Sequence, residues 1–354
     1  MLDMFNGWYK RKFSDPDAAA LLLILVVAFG LLIFWGDMMA PMLIAIVVAY
    51  LLEWPVARLE RIGLGRTWAT SLVILVFLTL IILAAVGLVP VIWRQSMNLL
   101  TELPEIWAHT QDWLLTLPER YPGFVAPMDI ERLLTDANAK VVGLGEDILS
   151  ASVSSLVDLV ALLVYLILVP LMVLFMLKDK RELMGNLSRV VPKERRLVNQ
   201  VGREMNLQIV NYIRGKVVEI LIVGAVSAIT FSLMELRYAL LLGVLVGFSV
   251  LIPYIGAAMV TLPVAVVGLF QWGLSPEFGY LMVAYGIIQA LDGNLLVPLL
   301  FSEAVSLHPV YIIIAVLFFG GLWGFWGVFF AIPLATLVKA VFNAWSESEV
   351  PATQ

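Results

Sequence analysis

The chain has 354 residues, of which 62% are hydrophobic and 14% charged, with a mean hydropathy of +0.97 and a formal net charge of −5. A soluble domain is nearer half apolar and a quarter charged. The composition therefore excludes an ordinary soluble protein and indicates an all-α polytopic membrane protein. The apolar runs are long and continuous, unlike the short alternating segments of a membrane β-barrel. There is no cysteine, which removes disulfides, thiolate chemistry and cysteine metal sites.

In chain order, residues 1–17 place Lys10, Arg11 and Lys12 beside Trp8 and Tyr9, a cytoplasm-facing interfacial pattern. Residues 18–35 read as an uncleaved first span, since no small-residue cleavage site follows. Gly36-Asp37 is expected to turn the chain, and residues 38–52 to return, interrupted early by Pro41. The loop 53–66 holds Arg58, Arg61 and Arg66, and residues 67–93 form a third span. Residues 94–152 differ, with four basic and nine acidic side chains. Leu99, Leu103, Ile106, Trp107, Trp113, Leu114 and Leu117 recur near helical spacing, with Pro104, Pro118, Pro122 and Pro127 between or after them. This region reads as a helical extramembrane segment on the outer side, followed by a fourth span at 153–177.

Residues 178–216 carry ten basic side chains against four acidic ones, the strongest positive-inside signal in the chain. With it, the first four spans agree on a cytoplasmic N-terminus. Leu197, Val201, Met205, Ile209 and Ile213 lie four apart, one apolar face of an amphipathic helix. Such a helix either lies on the membrane surface or against a partner, or acts as a lever joining the two membrane halves. Residues 217–338 contain a single basic residue, Arg237. The expected organisation is 1–93 for spans one to three, 94–152 for the outer region, 153–177 for span four, 178–216 for the basic cytoplasmic helix, 217–345 for a transport core and 346–354 for a polar tail.

The stretch 240–270 is apolar almost throughout but broken by Pro253-Tyr254-Ile255-Gly256. Proline lacks the backbone N–H and clashes with the preceding turn, and glycine admits angles other residues avoid. Each arm is about 15 residues, roughly 22 Å as helix, too short to cross a ~30 Å hydrocarbon core upright. A discontinuous helix or re-entrant hairpin is expected, and such breaks are tolerated only where protein or a water-filled cavity surrounds them. A second interruption, Asp292-Gly293-Asn294 with Pro298 beyond, divides 279–301. A pair of interrupted apolar segments is the best pointer in a sequence to a transport site.

Asp292 is read in two ways: a carboxylate at membrane depth that marks a pathway, or a wet turn residue at the interface. Gln289 and Asn294 are candidate solute contacts. Glu219 reads as a snorkelling interfacial acid paired with Lys216 or Arg214. Gly320, Gly321, Gly324 and Gly327 stand among aromatics in G-G-L-W-G-F-W-G, read as close helix packing, with an aromatic pathway lining as the alternative. Glu303 and His308 flank a loop, and His308 reads as a satisfied loop histidine and not a metal ligand. No H-E-x-x-H, G-x-S-x-G or G-x-x-x-x-G-K-[ST] occurs, so no metalloprotease, nucleophile-elbow or ATP-driven chemistry is indicated, and no cofactor, metal or nucleic acid is expected.

G-F-S-V-L-I-P-Y-I-G-A at 247–257, D-G-N-L-L-V-P at 292–298, S-L-H-P at 306–309 and G-G-L-W-G-F-W-G-V-F-F-A-I-P-L-A at 320–335 resemble the autoinducer-2 exporter family, as do A-Y-L-L-E-W-P at 49–55 and N-Y-I-R-G-K at 211–216. The resemblance covers nearly the whole chain and is weakest over 94–152. It implies about eight transmembrane helices, with interrupted helices or re-entrant hairpins in the C-terminal half. It also implies homo-oligomers in the lipid bilayer, and export of small molecules or sodium–proton exchange in different members. The resulting expectation is a bacterial inner-membrane secondary transporter for a small polar solute or cation, proton- or sodium-coupled. Its pathway is expected at Pro253, Tyr254, Gly256, Gln289, Asp292, Asn294 and Pro298. The runner-up is a channel-like or regulatory scaffold.

Overall fold

The computed structural model describes residues 16–120, 155–190, 196–301 and 307–347. Among them every regular element is helical. These are α1 (Pro16–Arg61), α2 (Arg66–Arg120), α3 (Ser155–Lys178), α4 (Lys180–Val190), α5 (Arg196–Leu233), α6 (Ala239–Ser249), α7 (Ile255–Trp272), α8 (Pro276–Leu291), a π-helical segment (Asp292–Leu296), α9 (Val297–Phe301), α10 (Pro309–Phe329) and α11 (Ala331–Glu347). Six helical stretches among the described residues are long and apolar enough to cross a membrane, and three shorter apolar helices accompany them. The protein is an all-helical polytopic membrane protein, and its outward faces suit lipid. On α2, Leu75, Leu83 and Val86 are among many large apolar side chains left uncovered.

Three helices are longer than the sequence suggests. The turn expected at Gly36-Asp37 does not form, and α1 runs through it and through Pro41 and Pro55. Alanine, leucine and isoleucine on both sides favour helix strongly enough to carry the chain across one Gly-Asp pair. α2 continues past Trp93 and through Pro104 to Arg120, so residues 94–120 extend the span expected at 67–93. α5 crosses 216–217 without a break, joining the basic amphipathic stretch to the fifth span. The expected outer region beyond Arg120 and the tail beyond Glu347 lie outside the described residues.

Packing explains the α5 stripe. Val201, Met205 and Ile213 are buried, and the Tyr50 hydroxyl of α1 donates to Asn206 on α5 (3.0 Å). α5 also joins two cores. Val223 and Phe231 pack with α6, α7 and α8, while Tyr212 and Ile213 pack with Phe301 and with Ile312, Ala331 and Ile332 from α10 and α11. The helix therefore links α1 to the C-terminal half.

The N-terminal core is closed at its basic end by Arg66. Its Nε donates to the Leu177 carbonyl at the end of α3 (2.8 Å), Nη2 to Glu53 (3.0 Å) and Nη1 to Glu60 (2.8 Å). Lys180 adds a second cation to Glu53 at 2.8 Å. The fork satisfies an orphan helix-terminal carbonyl and two carboxylates of α1 together, which a point-charge lysine cannot reproduce. Arg66→Ala should therefore lower detergent-state stability by about 1.5–3 kcal/mol, and Arg66→Lys should recover little of it. Thermal melts of the two purified variants check this, and equal melting of Lys and wild type would contradict it.

Candidate functional site

The site is built around the break that follows α6. α5 and α6 form a hairpin whose helices approach almost backbone to backbone. A Cβ at Gly243 would strike Ala228, and one at Gly247 would strike the Ile220 carbonyl and Gly224. This is the small-x-x-x-small packing of membrane helices. It brings the end of α6 close against the middle of α5.

Beyond Ser249 the helix ends. Leu251 N–H donates to Phe248 and Ile252 N–H to Ser249, tightening the last turn, while Ile255 N–H reaches only the Pro253 carbonyl. Tyr254 has φ 63, unusual for a residue with a side chain, and α7 then starts at Ile255. In an unbroken helix the Val250 carbonyl would accept from residue 254. Here it is released and accepts instead from Lys216 Nζ (2.8 Å).

Lys216 lies within α5, 17 residues from its end at Leu233, roughly 26 Å along the helix axis. Its Nζ is 2.8 Å from Glu219 Oε2, with side chains only 5% and 2% exposed, and 5.3 Å from the centre of the Phe301 ring. Nζ donates to the Val250 carbonyl, while the Glu219 contact is an ion pair without hydrogen-bond geometry. One ammonium thus meets a carboxylate, a helix-terminal carbonyl and an aromatic face, three surroundings that each favour a desolvated cation. Phe301 is pressed close because Gly215 leaves room: a Cβ there would strike its ring.

The second interruption reaches the same place. The chain stays helical through Asp292-Gly293-Asn294 but widens into a π segment, with Val297 N–H donating to the Asp292 carbonyl. Pro298 follows one residue beyond and cannot donate to the preceding turn, which the extra residue of a π segment accommodates. Such segments are rare and frequently mark functional sites. The segment packs on α5, and Asp292 interacts electrostatically with both Lys216 and Glu219. Asp292 Oδ1 and Gln289 Nε2, three residues apart, are closed off from solvent without a hydrogen-bond partner among the described residues.

Asp292 does not stand in a turn, because the chain stays helical there; its side chain is half-buried, with one oxygen closed off from solvent. Glu219 is paired with Lys216 as expected, but the pair does not snorkel. α5 is covered on this side by the 250–254 break and by Phe301, so neither side chain reaches water. Asn294 is exposed and its Nδ2 donates to Ala290 (2.8 Å), and Gly293 and Pro298 are exposed. Tyr254 is 59% exposed, while Gly256 is buried, and a Cβ on it would run into the Ser249 carbonyl. Of the expected pathway residues, the Pro253 break and Asp292 reach the Lys216 cluster, with Gln289 on the same segment.

The glycine–aromatic segment folds on itself. Gly324 (φ 56, ψ −133) kinks α10, and across the kink a Cβ at Gly327 would meet the Phe319 carbonyl and one at Gly320 would meet Val328. The close packing at these two glycines is within one segment, whereas Gly321 and Gly324 have open space beside them. Tyr212 of α5 holds the far side of this turn by donating to the Phe329 carbonyl (2.8 Å). His308 accepts from Val310 N–H and so caps the start of α10. The Ser249 hydroxyl donates to Val246 (2.7 Å).

Two elements escaped the sequence reading. The pairing of Lys216 with Glu219 is read from the sequence, but at the cytoplasmic edge; its burial beneath the 250–254 break is not. Gly243 and Gly247 form a G-x-x-x-G inside an apolar run, a signal that was available.

Comparison with known proteins agrees with this architecture. The model of the AI-2E family transporter matches residues 22–347. The chain is 52% identical over 350 residues to the "Putative permease PerM" of Escherichia coli (strain K12), covering 99% of each chain. It is 28% identical over 322 residues to the "Putative transport protein YueF" of Bacillus subtilis (strain 168), covering 88% of this chain and 85% of that one. A broken helix over a buried charge cluster, on a chain matched almost end to end, leads to one conclusion: the protein belongs to the AI-2E transporter family.

Proposed function

We propose that the protein is a secondary transporter of the bacterial inner membrane. It moves a small polar solute or cation in exchange with, or driven by, protons or sodium, and it works as a homo-oligomer. The observation that carries this reading is the convergence of two helix interruptions on a buried Lys216–Glu219 pair with Asp292 beside it. Charged groups at membrane depth are costly and mark ion or substrate paths. Broken helices present free backbone groups to such ions.

Asp292 is the coupled group in this reading. Asp292→Asn keeps the shape and removes the charge, so the variant should insert and assemble but lose gradient-driven flux to the level of protein-free vesicles. The measurement is counterflow in reconstituted vesicles against a metabolite and cation panel, with pH and sodium gradients imposed in turn. Gradient dependence unchanged by the substitution would return Asp292 to a structural role, and absence of any flux in wild type would favour the scaffold reading.

The basic segment 178–216 is cytoplasmic in this reading and the acidic 94–152 lies on the outer side; the expected cytoplasmic N-terminus rested on the Gly36-Asp37 turn, which α1 does not make. The support for this orientation is the ten-to-four basic excess at 178–216 against the acidic 94–152. Single cysteines placed at Asn138 and Asn199 on the cysteine-free background should label from opposite sides of the membrane. Labelling of both from one side would sink this orientation.

A further inference from the structure

The charges at the cluster do not balance. Lys216 supplies one positive charge, and Glu219 and Asp292 supply two carboxylates when ionised. Among the described residues, the break between α6 and α7 adds the neutral Val250 carbonyl and α9 adds the Phe301 ring. Arg214 is two residues before Lys216, a spacing that places it on another face of α5. Tyr212, one turn before Lys216, is neutral and its hydroxyl is engaged by Phe329. Among the described residues the cluster is left with one uncompensated negative charge, and Oδ1 of Asp292, like Oε2 of Glu219, is closed off from solvent without a hydrogen-bond partner. A net unit charge in a cluster closed off from solvent is unfavourable, and a counter-charge relieves it.

We infer that Lys216 sets the charge capacity of the site: by neutralising Glu219 it leaves room for one monovalent metal cation such as sodium at Asp292, and it rejects a divalent cation. Lys216 is thus a specificity-determining residue, a tethered cation occupying the second of two positions that its absence would open. The inference rests on the transport reading above but concerns binding, so the two are separable by experiment.

The test is thermal stability of the full-length protein in detergent, titrated with sodium chloride or calcium chloride at constant ionic strength. Wild type should be stabilised by sodium in a saturable way and not by calcium. Lys216→Met opens the second position, so its apparent calcium affinity should rise at least about tenfold over wild type. Glu219→Gln leaves the cluster neutral and should abolish the sodium response. The double variant Lys216→Met/Glu219→Gln restores the net single negative charge and should regain sodium preference, as should Lys216→Arg, which keeps the charge. A purely structural pair would let the double variant recover stability without this alternation of cation preference. If Lys216→Met does not purify, loss of the sodium response in Glu219→Gln and its return in the double variant decide the matter. Wild type without any cation response, or the same preference in wild type, the purified single variants and the double, would overturn the inference. Alternating preference in a protein without flux would overturn the transport reading alone.

Discussion

Lys216→Met should destabilise the detergent-purified protein by about 3–5 kcal/mol, and adding Glu219→Gln should return most of that loss. The asymmetry follows from burial. Both side chains are almost fully enclosed, and the Val250 carbonyl has no N–H of its own helix to fall back on because the 250–254 break removed it. Taking away the ammonium strands a carboxylate and a carbonyl in apolar surroundings at once. Replacing both charges by groups of similar volume leaves only the carbonyl to satisfy, since glutamine retains an amide N–H able to hydrogen-bond. Buried ion pairs are expensive to break and often nearly neutral to replace. Melting curves for wild type, the single variant and the double variant form the measurement. A double variant no more stable than Lys216→Met would mean that Lys216 stabilises the fold through something other than Glu219, most directly through the Phe301 ring.

The contrast between what could be read from the sequence and what could not has a physical basis. Local backbone chemistry was legible. Pro253 and Gly256 announce a break because proline removes an N–H and glycine admits close approach, and the helix does stop there. Asp292 was legible as an anomaly because a carboxylate between apolar runs must be explained. The long-range contact of Lys216 was not legible. Val250 is 34 residues from Lys216, and only the close approach of α5 and α6 at Gly224, Gly243 and Gly247 brings the two together. The hydropathy profile places Lys216 at the edge of the basic segment, so it looked wet. Burial is decided by what covers α5, and that cover comes from α6 and α9. The Gly36-Asp37 turn failed for a related reason, since turn residues are a weak signal inside long strongly helical sequence. The D-G-N tripeptide likewise did not break its helix, and the chain absorbed it and Pro298 together by widening to a π segment.

The break itself gives the other large effect, through two substitutions that should fail in different ways. Gly256→Leu places a side chain against the Ser249 main-chain carbonyl, which cannot swing aside as a flexible side chain would. The hairpin of α6 and α7 must then open, an overpacking cost of about 1–3 kcal/mol or more, and assembly should suffer together with transport. Pro253→Ala acts in the opposite direction. It restores an N–H and removes the ring that prevents an α turn, so helix can re-form across 250–254. Tyr254 would leave its left-handed conformation, and its N–H would reclaim the Val250 carbonyl. A continuous helix satisfies its own backbone, so Lys216 would lose its partner on α6 while the fold kept its stability. Pro253→Ala should therefore melt at or above the wild-type temperature, assemble normally and transport poorly. Oligomer stability and flux measured on the same preparations separate the cases. A Pro253→Ala protein with both full stability and full flux would remove the 253–256 break from the transport site, whereas one that is stable and inactive would show that the broken backbone serves transport and not assembly.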